Sequence, residues 1–366
     1  MVLSSSVLTE TGTSLRRFAA IGEPAPRQLQ KSWKYLALVR KIVSFKVSIP
    51  ATTTQHSPSQ SNPNNGCPDA STYKVTALGL FFCYDIQMST IYTAFKDKVI
   101  IVVGGASGIG EHLVRQLSSF GKTVIILDRN KKAGTTLAKK LTTRVTGEVI
   151  FEAIEMSNTK SVHKLLHRLN TKYGPIDYFF NAAGIFMAGE MRDTPVENWH
   201  KVMDSNLQPI INGTASIYEI MQKNGHGHII NFASAAGLFP VPIMSIYGAT
   251  KHAIVGLTLG LRIEAKSLNI KASVVCPTVV NTPLYDTAIY NNVDLSKALR
   301  AFKNPKVQKP QVAAMRIISA TAQNKAVIHT AISTYLAWVL YRISPSLYTT
   351  VSQRFITMYR KKGRKQ

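Results

Sequence analysis

Val99-Ile100-Ile101-Val102-Val103-Gly104-Gly105-Ala106-Ser107-Gly108-Ile109-Gly110 is the stretch on which the reading of this chain turns. Five consecutive apolar residues, mostly β-branched, run without polar alternation, which is the pattern of a strand covered on both faces. Glycines follow at once, and then Leu113, Leu117 and Phe120 recur at helical spacing, with Gly121 as a stop. In a strand–loop–helix unit each glycine has its own task. Gly104 permits a tight turn, Gly108 lets backbone N–H groups approach a pyrophosphate, and Gly110 lets the helix pack close to the sheet. The helix N-terminus then faces the phosphates with unpaired N–H groups, so Ser107 and Ile109 count as cofactor-binding positions too. A glycine trio alone is a weak signal. Placed between a strand and a helix it predicts a dinucleotide site.

The same alternation continues outward. Apolar runs at 99–103, 123–127, 148–154, 176–180, 228–232, 272–276 and 326–330 are separated by longer helix-like stretches. Seven such strands predict an α/β fold: a Rossmann-like, doubly wound, seven-stranded parallel sheet with helices on both faces, spanning residues 96–330. The second run ends at Asp128, 18 residues after Gly110. A carboxylate there accepts hydrogen bonds from the ribose hydroxyls of NAD and repels the 2′-phosphate of NADP. Arg129, Lys131 and Lys132 stand close by and weaken that exclusion. NAD(H) is the expected cofactor, with NADP(H) as the alternative.

Tyr247-Gly-Ala-Thr-Lys251 carries the reacting groups. Residues four apart share a helix face, so the phenol and the ammonium are neighbours. A neighbouring cation favours the phenolate and lowers a pKa that is otherwise too high for acid–base work near neutrality. Ser234 stands 13 residues upstream, at the end of the fifth run, where a hydroxyl can polarise a carbonyl oxygen. Asn206 lies further back in a helical stretch.

With these residues in place, residues 96–330 resemble the short-chain dehydrogenase/reductase family. The Gly104/Gly108/Gly110 loop, Asn181-Ala-Ala-Gly184 after the fourth strand, and Asn206, Ser234, Tyr247 and Lys251 match its motifs in order. Pro277-Thr-Val-Val-Asn-Thr282 resembles its nicotinamide loop, which puts Pro277, Val280 and Thr282 beside the cofactor. The resemblance implies an oxidoreductase that interconverts an alcohol and a carbonyl. Tyr247 would be the general acid/base, Ser234 the carbonyl polariser and Lys251 the ribose anchor. Asn206 would hold a relay water, and Asn181 and Gly184 would support the adenine-ribose side. The chain departs from the pattern at Val103, Ala182, Glu155 and Thr278, none of which is a reacting group. The rival reading is a non-catalytic protein of the same fold, a binding protein or a membrane-associated scaffold.

The chain has 366 residues, 45% of them apolar and 17% charged, which excludes wholesale disorder and leaves room for a large core. Cys67, Cys83 and Cys276 contain no CxxC spacing, so neither a disulfide framework nor a metal site is expected. The net charge is +25, and residues 302–366 hold 12 basic residues and no acidic one. Residues 331–366 read as an amphipathic tail: Ile332, Tyr335, Leu336, Val339, Leu340 and Ile343, a break at Pro345, then Leu347, Tyr348, Val351, Phe355, Met358 and Tyr359. An apolar stripe beside a polybasic end predicts contact with an anionic membrane surface, against the alternative of a tail docked on its own or a partner subunit. No nucleic-acid module is visible. Residues 283–308 read as an apolar substrate lid, which predicts a hydrophobic alcohol or ketone. Residues 1–95 read as a largely disordered or targeting extension. The expected location is the cytoplasm or the periphery of an intracellular membrane, with a mitochondrial transit peptide as the alternative. A homodimer or homotetramer is the expected assembly.

Overall fold

The computed structural model describes residues 88–143, 147–304 and 307–362. Of the disordered or targeting extension expected over residues 1–95, residues 1–87 lie outside the described residues, and 88–95 are described. Nine strands are described: β1 Val99–Val103, β2 Thr123–Asp128, β3 Glu148–Ala153, β4 Tyr178–Asn181, β5 Met187–Gly189, β6 Gly227–Phe232, β7 Ile270–Cys276, β8 Ile289–Asn291 and β9 Val327–His329. The labelled helices are α1 Gly108–Leu117, α2 Lys131–Thr142, α3 Thr159–Tyr173, α4 Val196–Asn206, α5 Gln208–Asn224, α6 Ser245–Glu264, α7 Leu295–Phe302, α8 Pro310–Ala322, α9 Ile332–Ile343 and α10 Pro345–Lys362.

Seven strands form one parallel sheet in the order β3-β2-β1-β4-β6-β7-β9. The chain winds outward from β1 to β3, then returns to pair β4 with the free side of β1, Val103 opposite Asn181. That reversal is a topological switch point, and ligands bind at the carboxyl ends of strands beside it. The unbroken apolar run of β1 has a direct cause. Ile100 and Val102 pack on one layer, with Leu113 and Leu117 of α1 and Ile317 and Ile318 of α8. Val99, Ile101 and Val103 pack on the other, with Leu165, Leu166 and Leu169 of α3 and Ile217 and Ile220 of α5. Both faces are dry, so neither set alternates with polar residues.

The packed body starts ahead of Lys96. Residues 88–95 form a helix whose Ile91 and Phe95 are fully buried against the α1 layer. The segment read as a lid is ordered as a short helical turn Pro283–Tyr285, β8 and α7. β8 pairs in parallel with β5, Met187 opposite Ile289 and Gly189 opposite Asn291, making a second, two-stranded sheet. The tail is helical as expected. Pro345 ends up in the first turn of α10, where its missing N–H is no loss. α9 and α10 dock on the body. Trp338, Tyr341 and Tyr348 pack beside Phe239 and Ile254, and Tyr348 Oη donates to the Pro240 carbonyl at 2.8 Å. Ile332, Leu336, Ile343, Leu347, Val351, Phe355 and Met358 stay exposed on the outer side. Among the described residues, no helix is long and apolar enough to cross a membrane.

Candidate active site

The glycine loop follows β1 and is shaped by backbone crowding. Gly104 has φ +70° and Gly108 φ +56°, a left-handed region open to glycine at little cost. A Cβ on Gly110 would drive into the Gly104 carbonyl, and one on Gly108 would touch Thr282 at 3.4 Å. The close loop–helix contact therefore needs glycine at 110, while at 108 it is the positive φ that favours glycine. Ser107 is the exposed N-cap of α1, and its side chain makes no cap hydrogen bond. Ile109 is half-buried in the first turn. Asp128 ends β2 beside the loop. Its Oδ2 accepts the Ala106 N–H at 3.1 Å and its Oδ1 the Asn130 N–H at 2.9 Å. A groove of about 430 Å³ opens there, lined by Ala106, Arg115, Asn130 and Lys132 among others.

The second half of the site forms at the carboxyl ends of β4, β6 and β7. Asn181 is buried, and its side chain turns into α5, donating to the Pro209 and Ile210 carbonyls at 3.5 and 3.4 Å. Its Oδ1 is buried with no hydrogen-bond partner among the described residues. Gly184 lies where a Cβ would come within 2.8 Å of Asn206 Oδ1 and 3.5 Å of Lys251 Nζ. Asn206 ends α4, fully buried; its Oδ1 accepts the Ile185 N–H at 2.7 Å and its Nδ2 donates to Thr250 Oγ1 at 3.4 Å. Ser234 caps the turn after β6, its Oγ accepting the Ala236 N–H at 3.2 Å. Pro277 holds that turn by accepting the Ala235 N–H at 2.8 Å. Val280 and Thr282 are buried along the same segment.

Tyr247 lies in the first turn of α6 and Lys251 one turn later, with the ammonium 5.5 Å from the centre of the phenol ring. Lys251 Nζ donates to the Phe232 carbonyl at 3.2 Å. The expectation that Lys251 lowers the Tyr247 pKa is corrected here. Burial pushes the phenol up to about 12, and the hydrogen bond with Ser234 opposes this only in part. Lys251 is itself desolvated and falls to about 8. Each group is withdrawn from water, which disfavours its charged form.

The segment expected as a lid supplies Tyr285 and Val293 to a buried cluster around Tyr247, but sequence reasoning missed Phe186. Phe186 sets its ring 5.2 Å from Tyr247 and 5.1 Å from Tyr285, and Val293 and Tyr359 complete the buried cluster. Phe186 sits in the short apolar run Ile185-Phe186-Met187, too short for any periodicity to mark it. Thr250, the partner of Asn206, and Cys276, buried near Lys251, were also unmarked. Elsewhere His163, His167 and Glu219 cluster on α3 and α5, where Glu219 already bonds Lys223 at 2.6 Å.

A glycine cradle at a switch point, a carboxylate ending β2, and a Ser/Tyr/Lys group facing the same strand ends define a dinucleotide-dependent oxidoreductase of Rossmann type. Residues 98–291 match the short chain dehydrogenase family. An uncharacterized oxidoreductase of Staphylococcus epidermidis is 30% identical over 52% of this chain and 80% of its own length. A 3beta-hydroxysteroid dehydrogenase of Mediterraneibacter gnavus is 30% identical over 52% of this chain and 68% of its own. A short chain dehydrogenase/reductase of Burkholderia phymatum, solved in complex with NAD, superposes with a TM-score of 0.64 at 26% identity, covering 69% of this chain and 95% of that one. The chain belongs to the short-chain dehydrogenase/reductase family and is an NAD(P)-dependent dehydrogenase/reductase.

Proposed function

We propose that the chain is an NAD(H)-preferring oxidoreductase that interconverts an alcohol and a carbonyl on a hydrophobic substrate, with Tyr247 as the proton-transfer residue. The observation that carries this reading is Tyr247, held inside an apolar cluster one turn from Lys251. The residues fit a dinucleotide. The crowding at Gly104 and Gly110 and the positive φ of Gly104 and Gly108 leave backbone rather than side chains to face the phosphates, with the Asp128 carboxylate for the ribose. When bound, the nicotinamide supplies or accepts the hydride. Tyr247 Oη donates a proton to the substrate oxygen in reduction and takes it back in oxidation. Ser234 Oγ donates a hydrogen bond to the same oxygen and stabilises the charge it gains. Lys251 holds the ribose and restores the Tyr247 proton, and Asn206 keeps the 184–185 backbone in place beside it.

The hydrophobic substrate is supported by the aromatic lining of the cluster and by the similarity to a hydroxysteroid dehydrogenase. The NAD(H) preference is supported by Asp128; Arg115 and Lys132 in the adjoining groove favour the NADPH alternative. The test is a fluorescence titration with NADH and NADPH, followed by a panel of secondary alcohols that includes a 3β-hydroxysteroid. Tight NADH binding and NAD⁺-dependent oxidation of apolar members are expected. Cofactor binding without turnover of any member would favour a non-catalytic role.

A second reading concerns location. The apolar outer side of α10, with Val351, Phe355 and Met358 exposed beside Arg354 and Lys361, supports peripheral binding to an anionic membrane.

A further inference from the structure

Two consecutive residues near the end of α10 reach the two short strands that frame Tyr247. Arg360 donates to Glu190 Oε2 from Nη2 at 2.7 Å and from Nε at 3.0 Å, and Glu190 directly follows β5. Tyr359 Oη donates to the Asn292 carbonyl at 3.2 Å, and Asn292 directly follows β8. The helix end therefore clamps both strands of the small sheet. Glu190 is only 7% exposed, and Arg192 Nη2 lies 3.2 Å from its Oε1. An exposed ion pair would contribute little. A carboxylate this sheltered depends on both partners: without Arg360, its Oε2 loses both hydrogen bonds and only Arg192 remains, on Oε1. The Arg360 hydrogen bonds hold the Glu190 carboxyl below its usual range. Tyr359 is as buried as Glu190, and Ile356, one turn earlier, packs against the same cluster as Tyr247, Phe186, Tyr285 and Val293. None of these α10 residues serves the dinucleotide loop, which lies at the ends of β1 and β2.

We propose that Tyr359 and Ile356 form the outer wall of the substrate site and set the size of group that reaches Tyr247, with Glu190 and Arg360 as positioning residues that hold the wall in place. This rests on the reading of Tyr247 as the proton-transfer residue. A wall made of a phenol ring and a branched alkyl group admits apolar groups, and its depth is set by the ring. Truncating the ring lengthens the pocket, and discrimination by one bulky apolar group is worth about tenfold or more. Loosening the clamp uncovers the aromatic cluster without touching Ser234, Tyr247 or Lys251.

Full-length wild type, Tyr359→Ala, Tyr359→Phe, Glu190→Gln and Arg360→Lys are compared by two readouts. The first is binding of the apolar dye ANS without any nicotinamide present. Tyr359→Ala and Glu190→Gln should raise dye fluorescence severalfold, while Tyr359→Phe and Arg360→Lys stay near wild type. Wild-type fluorescence in Tyr359→Ala or Glu190→Gln, with melting temperature and NADH affinity unchanged, overturns the proposal. The second is NADH-dependent reduction of cyclohexanone and 4-phenylcyclohexanone. Tyr359→Ala should raise kcat/KM for the larger ketone relative to the smaller by about tenfold, through KM. An unchanged ratio overturns it. If wild type reduces neither ketone, the dye result alone decides the wall, and the carbonyl-reducing reading fails separately.

Discussion

Asp128 and Ala106 are joined by a 3.1 Å hydrogen bond from the Ala106 N–H to Asp128 Oδ2. The carboxylate expected to meet the ribose is thus also the brace of the glycine loop, and its two roles are separable by mutation. Asp128→Asn keeps an oxygen for the Ala106 N–H and removes the charge; Asp128→Ala removes both. The first should raise NADPH use relative to NADH. The second should also weaken NADH binding by about tenfold, since a charged hydrogen bond contributes roughly 1.5–3 kcal/mol. Titrations of both variants with both cofactors check this, and a wild type that prefers NADPH would contradict it.

Tyr247→Phe keeps the ring against Phe186 and loses only the hydroxyl. Turnover should fall at least about a hundredfold, the usual range for losing a positioned acid/base, with NADH affinity within about twofold of wild type. Near-wild-type turnover would show that another group moves the proton.

Gly184 has no room for a methyl group: its Cβ would lie 2.8 Å from Asn206 Oδ1, the acceptor of the Ile185 N–H. Gly184→Ala should displace Asn206, cost about 1–3 kcal/mol of stability, and reduce kcat more than cofactor affinity. Urea unfolding and steady-state kinetics measure the two effects; a variant unchanged in both would mean the 184–206 contact relaxes freely.

His228 lies buried in β6 with Nε2 2.8 Å from Ser273 Oγ, and burial pushes its pKa from 6.5 down to about 3. The unfolded chain takes up a proton near pH 6.5 that the folded chain refuses until about pH 3. Stability is therefore fully present above pH 6.5 and is lost as pH falls through that window. Between pH 7 and pH 5 the loss from this group is about 2 kcal/mol. His228→Gln should lose that much less than wild type over the same interval in urea titrations. Equal losses would mean that His228 is protonated in the folded state.

Phe355 and Met358 point outward from α10, while Tyr359 points inward. The double substitution Phe355→Ser, Met358→Ser should therefore reduce sedimentation with phosphatidylserine vesicles and leave NADH binding unchanged. Wild-type binding should weaken as salt rises, because the charges are exposed. A wild type that ignores such vesicles at low salt would remove the membrane reading.

The parallel sheet, its strand–loop–helix start and the order of the Gly104, Asp128, Ser234, Tyr247 and Lys251 positions were legible in the sequence. Each rests on local rules: apolar runs for strands buried on both faces, glycines where backbone must bend or come close, and i to i+4 spacing for one helix face. Other features depended on packing between distant segments. β5 and β8 are three residues each, too short for any periodic signal, and exist because they pair with each other across 100 residues of chain. The Tyr247 pKa rises instead of falling because Phe186, Tyr285 and Tyr359 come from three separate segments to exclude water. The tail's amphipathic spacing was visible, but not which side would be covered. That depended on contacts with distant segments: Tyr348 on Phe239 and Pro240, and Arg360 on the buried Glu190, 170 residues away.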